Sequence, residues 1–366
     1  MNPKNKYPTV AIVGLGVIGG SLALAIKQSS PRTKVIGFDS PAVMRRARKR
    51  NAIDAAASSL RAAVLEADIV FVCTPVETIL KVLPKISRFI MPQTIVTDVG
   101  SVKGVIESAA RKCFATRGIF VGGHPMAGSE GSGIEHADPL LFQNAVYVLC
   151  PLGRRGKNIT ALTSLLKKTG ARILLMDASE HDKVAAAVSH LPQLLAVSLM
   201  NVASQKNKRN PAFLQLAAGG FRDMTRIASS PFPMWKDILS NNSSDVKNVL
   251  KEFRAELKRV EGAISGTSLS QLHSKFVRAK AFRDSIPKNT KGFLHPTHDI
   301  FLWANDSPGV LAQITTALFD KQINISDIEL VKVREGQGGT FRLSFETHES
   351  AQKAIAVLRR KKFKVQ

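Results

Sequence analysis

Gly14-Leu15-Gly16-Val17-Ile18-Gly19 decides the reading of this chain because of what stands on either side of it. Before it runs Thr9–Val13 (TVAIV), apolar and rich in β-branched residues. After it runs SLALAIK (21–27), a good helix former. A bare GxGxxG is weak evidence, but here Asp39 also ends the next apolar run, 20 residues past Gly19. Strand, glycine loop, helix and a following acidic residue form the dinucleotide-binding fingerprint. Gly14 permits the tight turn, Gly16 lets backbone amides reach a pyrophosphate, and Gly19 lets the helix pack closely on the strand. The positive end of that helix, at Val17 and Ile18, then faces the phosphates. Thr74 and Pro75, directly after the run Ile69–Cys73, are expected beside the cofactor as well. Asp39 should hydrogen-bond the adenosine ribose and repel a 2′-phosphate, which makes NAD the expected cofactor. Arg45 and Arg46 lie within a turn or two and could take such a phosphate. A phosphate-binding arginine more often adjoins the strand end, where this chain has Ser40 and Pro41.

Outward from this loop, short β-rich runs alternate with helical stretches. The runs are Thr9–Val13, Val35–Asp39, Ile69–Cys73, Thr94–Asp98, Ile119–Val121, Val146–Leu149 and Arg172–Leu175. Several are continuously apolar, as strands buried on both faces are. The expected fold is α/β, a Rossmann-type, mostly parallel, doubly wound sheet. From about Ser179 strand-like runs give way to helical ones, including an amphipathic helix over Ser244–Ile264. The segment 286–298, rich in Pro, Lys and Thr, reads as a linker. Beyond it the pattern is βαββαβ, with strands near 299–304, 325–333, 339–346 and 361–365. Helices are expected near 308–321 and 349–359, the first capped by Ser307 with Pro308 at its first position. Three domains are therefore expected: 1–176 dinucleotide-binding, 177–288 all-α, and 296–366 a small α/β module.

Composition narrows the function classes. The formal charge is +24, but the basic residues fall in separate short clusters, 45–50, 154–157, 206–209 and 359–364. Few aromatic residues sit among them, so there is no stacking platform for nucleic acid. A solvated basic surface that steers anionic substrates is the simpler reading. Cys73, Cys113 and Cys150 lie far apart, with no metal-ligand spacing. A sparse, odd set of cysteines makes no disulfide framework, and the opening residues lack the apolar stretch of a signal peptide, so the cytosol is the expected location. Val184–Ala203 is apolar for about the length of a membrane span. His190, Pro192, Gln193 and Asn201 interrupt it, and polar residues at mid-span are expensive in lipid. A buried helix at a subunit interface is expected instead.

Four segments carry a resemblance that covers nearly the whole chain. DVGSVKG (98–104), GGHPMAGSEGSG (122–133), SHLPQ (189–193) and GGFRDMTRIASSPFPMWKDI (219–238) resemble those of prephenate dehydrogenases. The segment ANDSPGVLAQITTALFDKQINISDIEL (304–330) resembles an ACT domain, a regulatory module that often binds amino acids. The resemblance implies oxidative decarboxylation of prephenate to 4-hydroxyphenylpyruvate with hydride transfer to NAD, the aromatising step towards tyrosine. Such chemistry needs a hydride acceptor, a base for the ring hydroxyl and clamps for two carboxylates. A neutral histidine suits the base near pH 7. By resemblance, His124 is that base, and Ser101 bridges the substrate hydroxyl and the nicotinamide region. Arg226 would bind a substrate carboxylate, for which a guanidinium is the apt shape. Glu130 would help gate the site, and His190, Asp223 and Trp235 lie in matched segments.

One departure stands out. Where some relatives place a second histidine after SHLP, this chain has Gln193, which hydrogen-bonds but carries no charge. That leaves prephenate, arogenate or dual specificity open. The helical segment resembles a dimerisation domain, so a homodimer is expected. In the terminal module, Asn305, Asp306, Gly309 and Asn324 match effector-binding positions, with tyrosine as a possible effector. A β-hydroxyacid dehydrogenase shares the domain plan, but no matching motif surrounds Lys183. A non-catalytic, ligand-sensing NAD-binding protein is the alternative of another class, opposed by the presence of His124, Ser101 and Arg226 together.

Overall fold

The computed structural model describes residues 8–128, 131–153, 159–265, 269–286, 298–305, 307–334 and 338–365. The chain divides into two compact units, Met1–Ala281 and Phe282–Gln366.

The first unit opens with β1 (Thr9–Val13), α1 (Val17–Ser29), β2 (Lys34–Phe38), α2 (Pro41–Lys49), β3 (Ala55–Ala56) and α3 (Leu60–Val64). It continues with β4 (Ile69–Val72), α4 (Val76–Phe89), β5 (Ile95–Asp98), α5 (Gly104–Cys113) and β6 (Ile119–Pro125). Then come β7 (Val146–Pro151), α6 (Thr160–Lys168) and β8 (Arg172–Leu175). These strands form one sheet in the order β3-β2-β1-β4-β5-β6-β7-β8, parallel throughout except that β6 and β7 are antiparallel. Every expected strand is present, and β3 is an added two-residue edge. Strand β1 is buried along its whole length, because helices cover both faces. One face carries Val10, Ile12, Ile69 and Phe71 against α1 and α6. The other carries Ala11, Val13, Val70, Val72 and Val96 against α3, α4 and α5. The strand order reverses between β1 and β4, so the loops after them diverge and open a crevice at the carboxyl edge.

Helices make up the rest of this unit: α7 (Ala178–Ala185), α8 (Leu191–Asn207), α9 (Ala212–Gln215), α10 (Gly219–Thr225), α11 (Phe232–Asn241), α12 (Ser243–Ser265) and most of α13 (Ser270–Ser285), whose last residues pass the Ala281 boundary. A turn of π-helix, Ala186–His190, joins α7 to α8. The joined run Ala178–Asn207 is the one helix among the described residues long and apolar enough to cross a membrane by length and composition. Within the single chain this run is buried on one side only, and its expected burial at a subunit interface concerns the other side. What α7, the π turn and α8 turn inward is small or polar: His181, Asp182, Ala185, His190, Gln193 and Ala196. Val188 and Val202 face outward, 62% and 56% exposed. The apolar side chains therefore include an outer stripe, while the inner face carries the polar groups around the site.

The second unit comprises β9 (His298–Ala304), α14 (Val310–Phe319), β10 (Asp327–Arg334), β11 (Gly338–Phe345), α15 (His348–Arg360) and β12 (Lys364–Val365). Its sheet order is β10-β11-β9-β12, all antiparallel. Alternation along β9 buries Ile300, Leu302 and Ala304. These meet Ile314 and Leu318 of α14 and Ala354 and Leu358 of α15. The βαββαβ expectation holds, but Ser307 is not the cap. Helix α14 starts two residues beyond Pro308, after Gly309, whose φ of +84° places it in the left-handed region that glycine adopts without strain. The linker expected at 286–298 lies largely outside the described residues.

Candidate functional site

A cleft of about 760 Å³ opens at the carboxyl edge of the first sheet. One wall is the start of α1, at Gly16, Val17 and Ile18, with Thr74 and Pro75 after β4 and Ser101 after β5. His124, at the end of β6, stands in the floor, and α11 supplies the opposite wall through Met234, Lys236 and Asp237. Gly16, Val17, Ile18, Thr74, Pro75, Ser101 and His124, all expected at the site, are thus brought together by the crevice of the sheet.

The glycine loop has the shape its sequence requires. Gly14 has φ +95°, and a Cβ there would lie 2.6 Å from the Cys73 carbonyl oxygen. A Cβ on Gly19 would collide with the Gly14 carbonyl oxygen, which is why the helix comes so close to the strand. Gly16 has nothing within 4 Å of such a position, leaving the room a pyrophosphate would occupy. Asp39 accepts hydrogen bonds from the Leu15 amide (2.7 Å) and the Ser40 amide (2.6 Å), which ties the end of β2 to the glycine loop. Thr74 Oγ1 is buried with no hydrogen-bond partner among the described residues. Open space over Gly16, a carboxylate at the end of β2 and an orphaned hydroxyl on the cleft wall fit a dinucleotide. Arg46 is drawn away to Glu135, at 2.9 Å, and Arg45 is exposed.

Behind His124 lies a buried polar network. Asp98 and Lys103 form an ion pair, with exposures of 0% and 1%. Lys103 Nζ also donates to the Gly123 carbonyl at 2.6 Å, and Asp98 accepts from the Gly123 amide (3.1 Å) and the Gly100 amide (2.8 Å). The residue immediately before His124 is thus held on both its amide and its carbonyl. The His124 ring, 8% exposed, sits with Nδ1 2.8 Å from Nε2 of His181. His181 Nδ1 lies 2.8 Å from Asp182 Oδ1. Asp182 in turn accepts the amides of Lys103 and Gly104, both at 2.7 Å, at the start of α5. Those α5 amides go to Asp182 rather than to Ser101, so Ser101 is not a helix cap, and its side chain is left for the cleft.

Burial sets the protonation states. Burial first, then the Lys103 ammonium and the two neighbouring histidines, hold His124 well below its usual value, so it rests neutral. Burial raises the Asp182 pKa, but the His181 contact and the two amides outweigh it and keep this carboxyl below the usual range. His190 is lowered by burial to about 4, against the pull of Asp182. Its ring meets Trp235 edge-on, with centroids 6.0 Å apart, and its Nδ1 lies 3.4 Å from Asn242 Nδ2. Asn242 also donates to the Asp182 carbonyl at 2.8 Å.

The remaining candidates divide by position. His190 and Gln193 are buried, at 1% and 4% exposure, behind the cleft rather than in its walls. Trp235 is half-buried, and its Nε1 has no partner among the described residues. Arg226 begins a 3-10 turn after α10, and both it and Asp223 are exposed, outside the cleft lining. Glu130 lies outside the described residues. Sequence reasoning missed His181, Asp182 and Asn242 as partners of the site. The adjacent His-Asp pair at 181–182 was the available signal, outside every matched segment. In the second unit, Asn305 and Gly309 line a separate cleft of about 460 Å³ with Leu330 and Phe341, while Asn324 does not. Asp306 lies outside the described residues.

The fold and the cleft define a dinucleotide-binding dehydrogenase in which a helical second layer closes over the sheet edge. Residues 22–175 match the family described as prephenate dehydrogenase, nucleotide-binding domain. Residues 177–278 match prephenate dehydrogenase, dimerization domain, and 298–362 match the ACT domain. The prephenate dehydrogenase of Bacillus subtilis is 37% identical over 349 residues, covering 94% of each chain. The crystal structure of prephenate dehydrogenase from A. aeolicus in complex with hydroxyphenyl propionate and NAD+ is also similar. It is 29% identical with a TM-score of 0.70, covering 78% of this chain and all of that one. A Synechocystis arogenate dehydrogenase structure is 30% identical with a TM-score of 0.68, over 76% of this chain and all of that one. The chain belongs to the prephenate dehydrogenase family.

The buried ion pair generates a stability prediction. Lys103→Met leaves Asp98 buried without its counter-charge and should cost about 3–5 kcal/mol. Urea unfolding of the variant measures this, and a loss under about 1 kcal/mol would show that the pair does not hold the site together.

Proposed function

We propose that this chain catalyses the NAD-dependent oxidative decarboxylation of prephenate to 4-hydroxyphenylpyruvate. The observation that carries the reading is His124, neutral and nearly buried, in the floor of a cleft that also holds the glycine loop and Ser101. Gly14, Gly16 and Gly19, with Val17, Ile18, Thr74 and Pro75, bind the dinucleotide, and Asp39 favours NAD over its 2′-phosphorylated form. The nicotinamide, when bound, supplies the hydride acceptor. His124 takes the proton of the ring hydroxyl as the hydride leaves the same carbon, and Ser101 orients that hydroxyl. Loss of carbon dioxide then aromatises the ring, and the proton on His124 returns to the oxygen that gave it. Prephenate and NAD+ become 4-hydroxyphenylpyruvate, carbon dioxide and NADH with no net proton released. A base that rests neutral inside the protein suits this closed cycle.

Arg226, Glu130, Gln193, His190 and Trp235 form the proposed substrate-binding set, with Arg226 as carboxylate clamp and with His190 and Gln193 acting from behind the cleft wall. The neutral Gln193 favours a second reading, in which arogenate or both cyclohexadienyl substrates are used. The proposed domains are 1–176, 177–288 and 296–366. A homodimer forms through the helical domain, supported by outward-facing Val188 and Val202 and by α13, which has no buried residue. Tyrosine is the proposed effector of the terminal domain, its ring against Leu330 and Phe341 and its polar end at Asn305 and Gly309. The three cysteines are free, which suits a cytosolic setting.

Three outcomes follow. NADH absorbance should rise with prephenate and NAD, and His124→Asn should lower kcat by about 10²–10⁴-fold while leaving NAD affinity intact. Silence with both prephenate and arogenate would sink the proposed activity, and arogenate preference would select the second reading. Light scattering at micromolar concentration should give the mass of two chains, and a monomer would overturn the dimer. Tyrosine should inhibit, with Asn305→Ala raising the inhibitory concentration about tenfold, the equivalent of one lost hydrogen bond. An unchanged inhibition curve would place the effector elsewhere.

A further inference from the structure

The two residues directly behind His124 belong to no wall of the cleft, yet they engage one of its two ring nitrogens. Asp182 is 6% exposed and takes two backbone amides at 2.7 Å, one on each carboxylate oxygen. Those amides open α5, whose N-terminal dipole favours negative charge. Asp182 is therefore an ionised carboxylate and can only accept. Its third contact, His181 Nδ1 at 2.8 Å, must be an N–H donor. With one proton on the His181 ring, that proton is on Nδ1, and Nε2 presents a lone pair. That lone pair lies 2.8 Å from His124 Nδ1, and only a proton on His124 Nδ1 makes a hydrogen bond there. The nitrogen left without a proton is His124 Nε2, on the residue that stands in the cleft floor.

We propose that His181 and Asp182 form a positioning dyad that holds His124 in its Nδ1-protonated tautomer and shares the charge His124 acquires. The proposal rests on the reading of His124 as the base. When Nε2 accepts the ring-hydroxyl proton, His124 becomes an imidazolium between a buried ammonium, Lys103, and the dyad. The hydrogen bond from Nδ1–H to His181, and from His181 to the Asp182 carboxylate, spreads that charge away from Lys103. The proton stays within the network until the aromatised oxygen takes it back, so no bond to bulk water is needed. Two opposing influences meet on one ring. Burial and Lys103 keep His124 neutral at rest, while the dyad makes its charged state tolerable during turnover. The same logic orients the histidine of hydrolase triads, where the carboxylate selects a tautomer without taking the proton. Here a second histidine extends the reach of the carboxylate.

The substitutions His181→Gln and His181→Leu separate this role from packing. Bound to Asp182 through its amide N–H, glutamine turns its oxygen towards His124 and keeps the acceptor, whereas leucine removes it. In the full-length enzyme, His181→Leu should lower kcat by about 10²-fold, the lower end of what a positioned base contributes. NAD affinity and the KM for prephenate should stay within about threefold, and His181→Gln should recover most of the lost rate. Nitrogen-15 NMR of labelled histidine, assigned against His124→Asn, should find Nδ1 protonated in the wild type and a mixture of tautomers in His181→Leu. An unchanged kcat and an unchanged tautomer in His181→Leu would overturn the dyad. Failure of the base reading is distinguishable, because it would appear as turnover surviving in His124→Asn itself. Asp182→Asn should act in the same direction. Because Asp182 also holds the α5 amides, the His181 pair carries the test if that variant does not fold.

Discussion

The buried ion pair between Asp98 and Lys103 is the contact on which the rest of the site depends. It joins the end of β5 to the start of α5, and both partners also bind the peptide at Gly123, one strand away. Charges this deep are tolerated because each makes further hydrogen bonds: Asp98 to the Gly100 and Gly123 amides, Lys103 to the Gly123 carbonyl. A hydrophobic replacement could fill the volume equally well. It would leave the end of β6 without the contacts that aim His124. The pair thus serves geometry more than stability. It also places a positive charge near the base, which favours the neutral imidazole.

From that anchor the network runs in one direction through the protein. The Lys103 and Gly104 amides tie α5 to Asp182 of α7, and Asp182 meets His181, which meets His124. Asn242, just past α11, closes the loop by binding the Asp182 carbonyl and approaching His190. The sheet and the helical layer therefore meet through polar contacts at the site, beside apolar packing such as Ile238 and Trp235 against the sheet-side core. This explains the composition of the run Ala178–Asn207. Its inward face is small and polar because it docks onto a hydrogen-bonded site, and its outward face is apolar and available to a second chain.

Much of this was legible in the sequence where the physics is local. The glycine loop, its strand and helix, and Asp39 were readable because each glycine answers a steric demand made by residues close by. The strands were readable from apolar runs, and the terminal βαββαβ pattern from alternation. Local signals misled at Ser307, where a plausible cap and a proline suggested a helix start. The chain instead used the positive φ of Gly309.

The parts that escaped were those made by distant residues meeting. His124 and Ser101 could be named from their segments, but His181 and Asp182 lie 57 and 79 residues from the partners they contact, His124 and Lys103. No periodicity or spacing encodes such a meeting. The apolar run around Val184–Ala203 likewise had a readable composition and an unreadable orientation. By itself the sequence determined the dinucleotide fold and the residues able to do the chemistry, because local sterics and side-chain type suffice for both. Only the tertiary structure decided which groups meet the His124 ring and which charges surround it. Tautomer and charge state are set by neighbours brought together in space, in an interior where an unpaired polar group is too costly to leave.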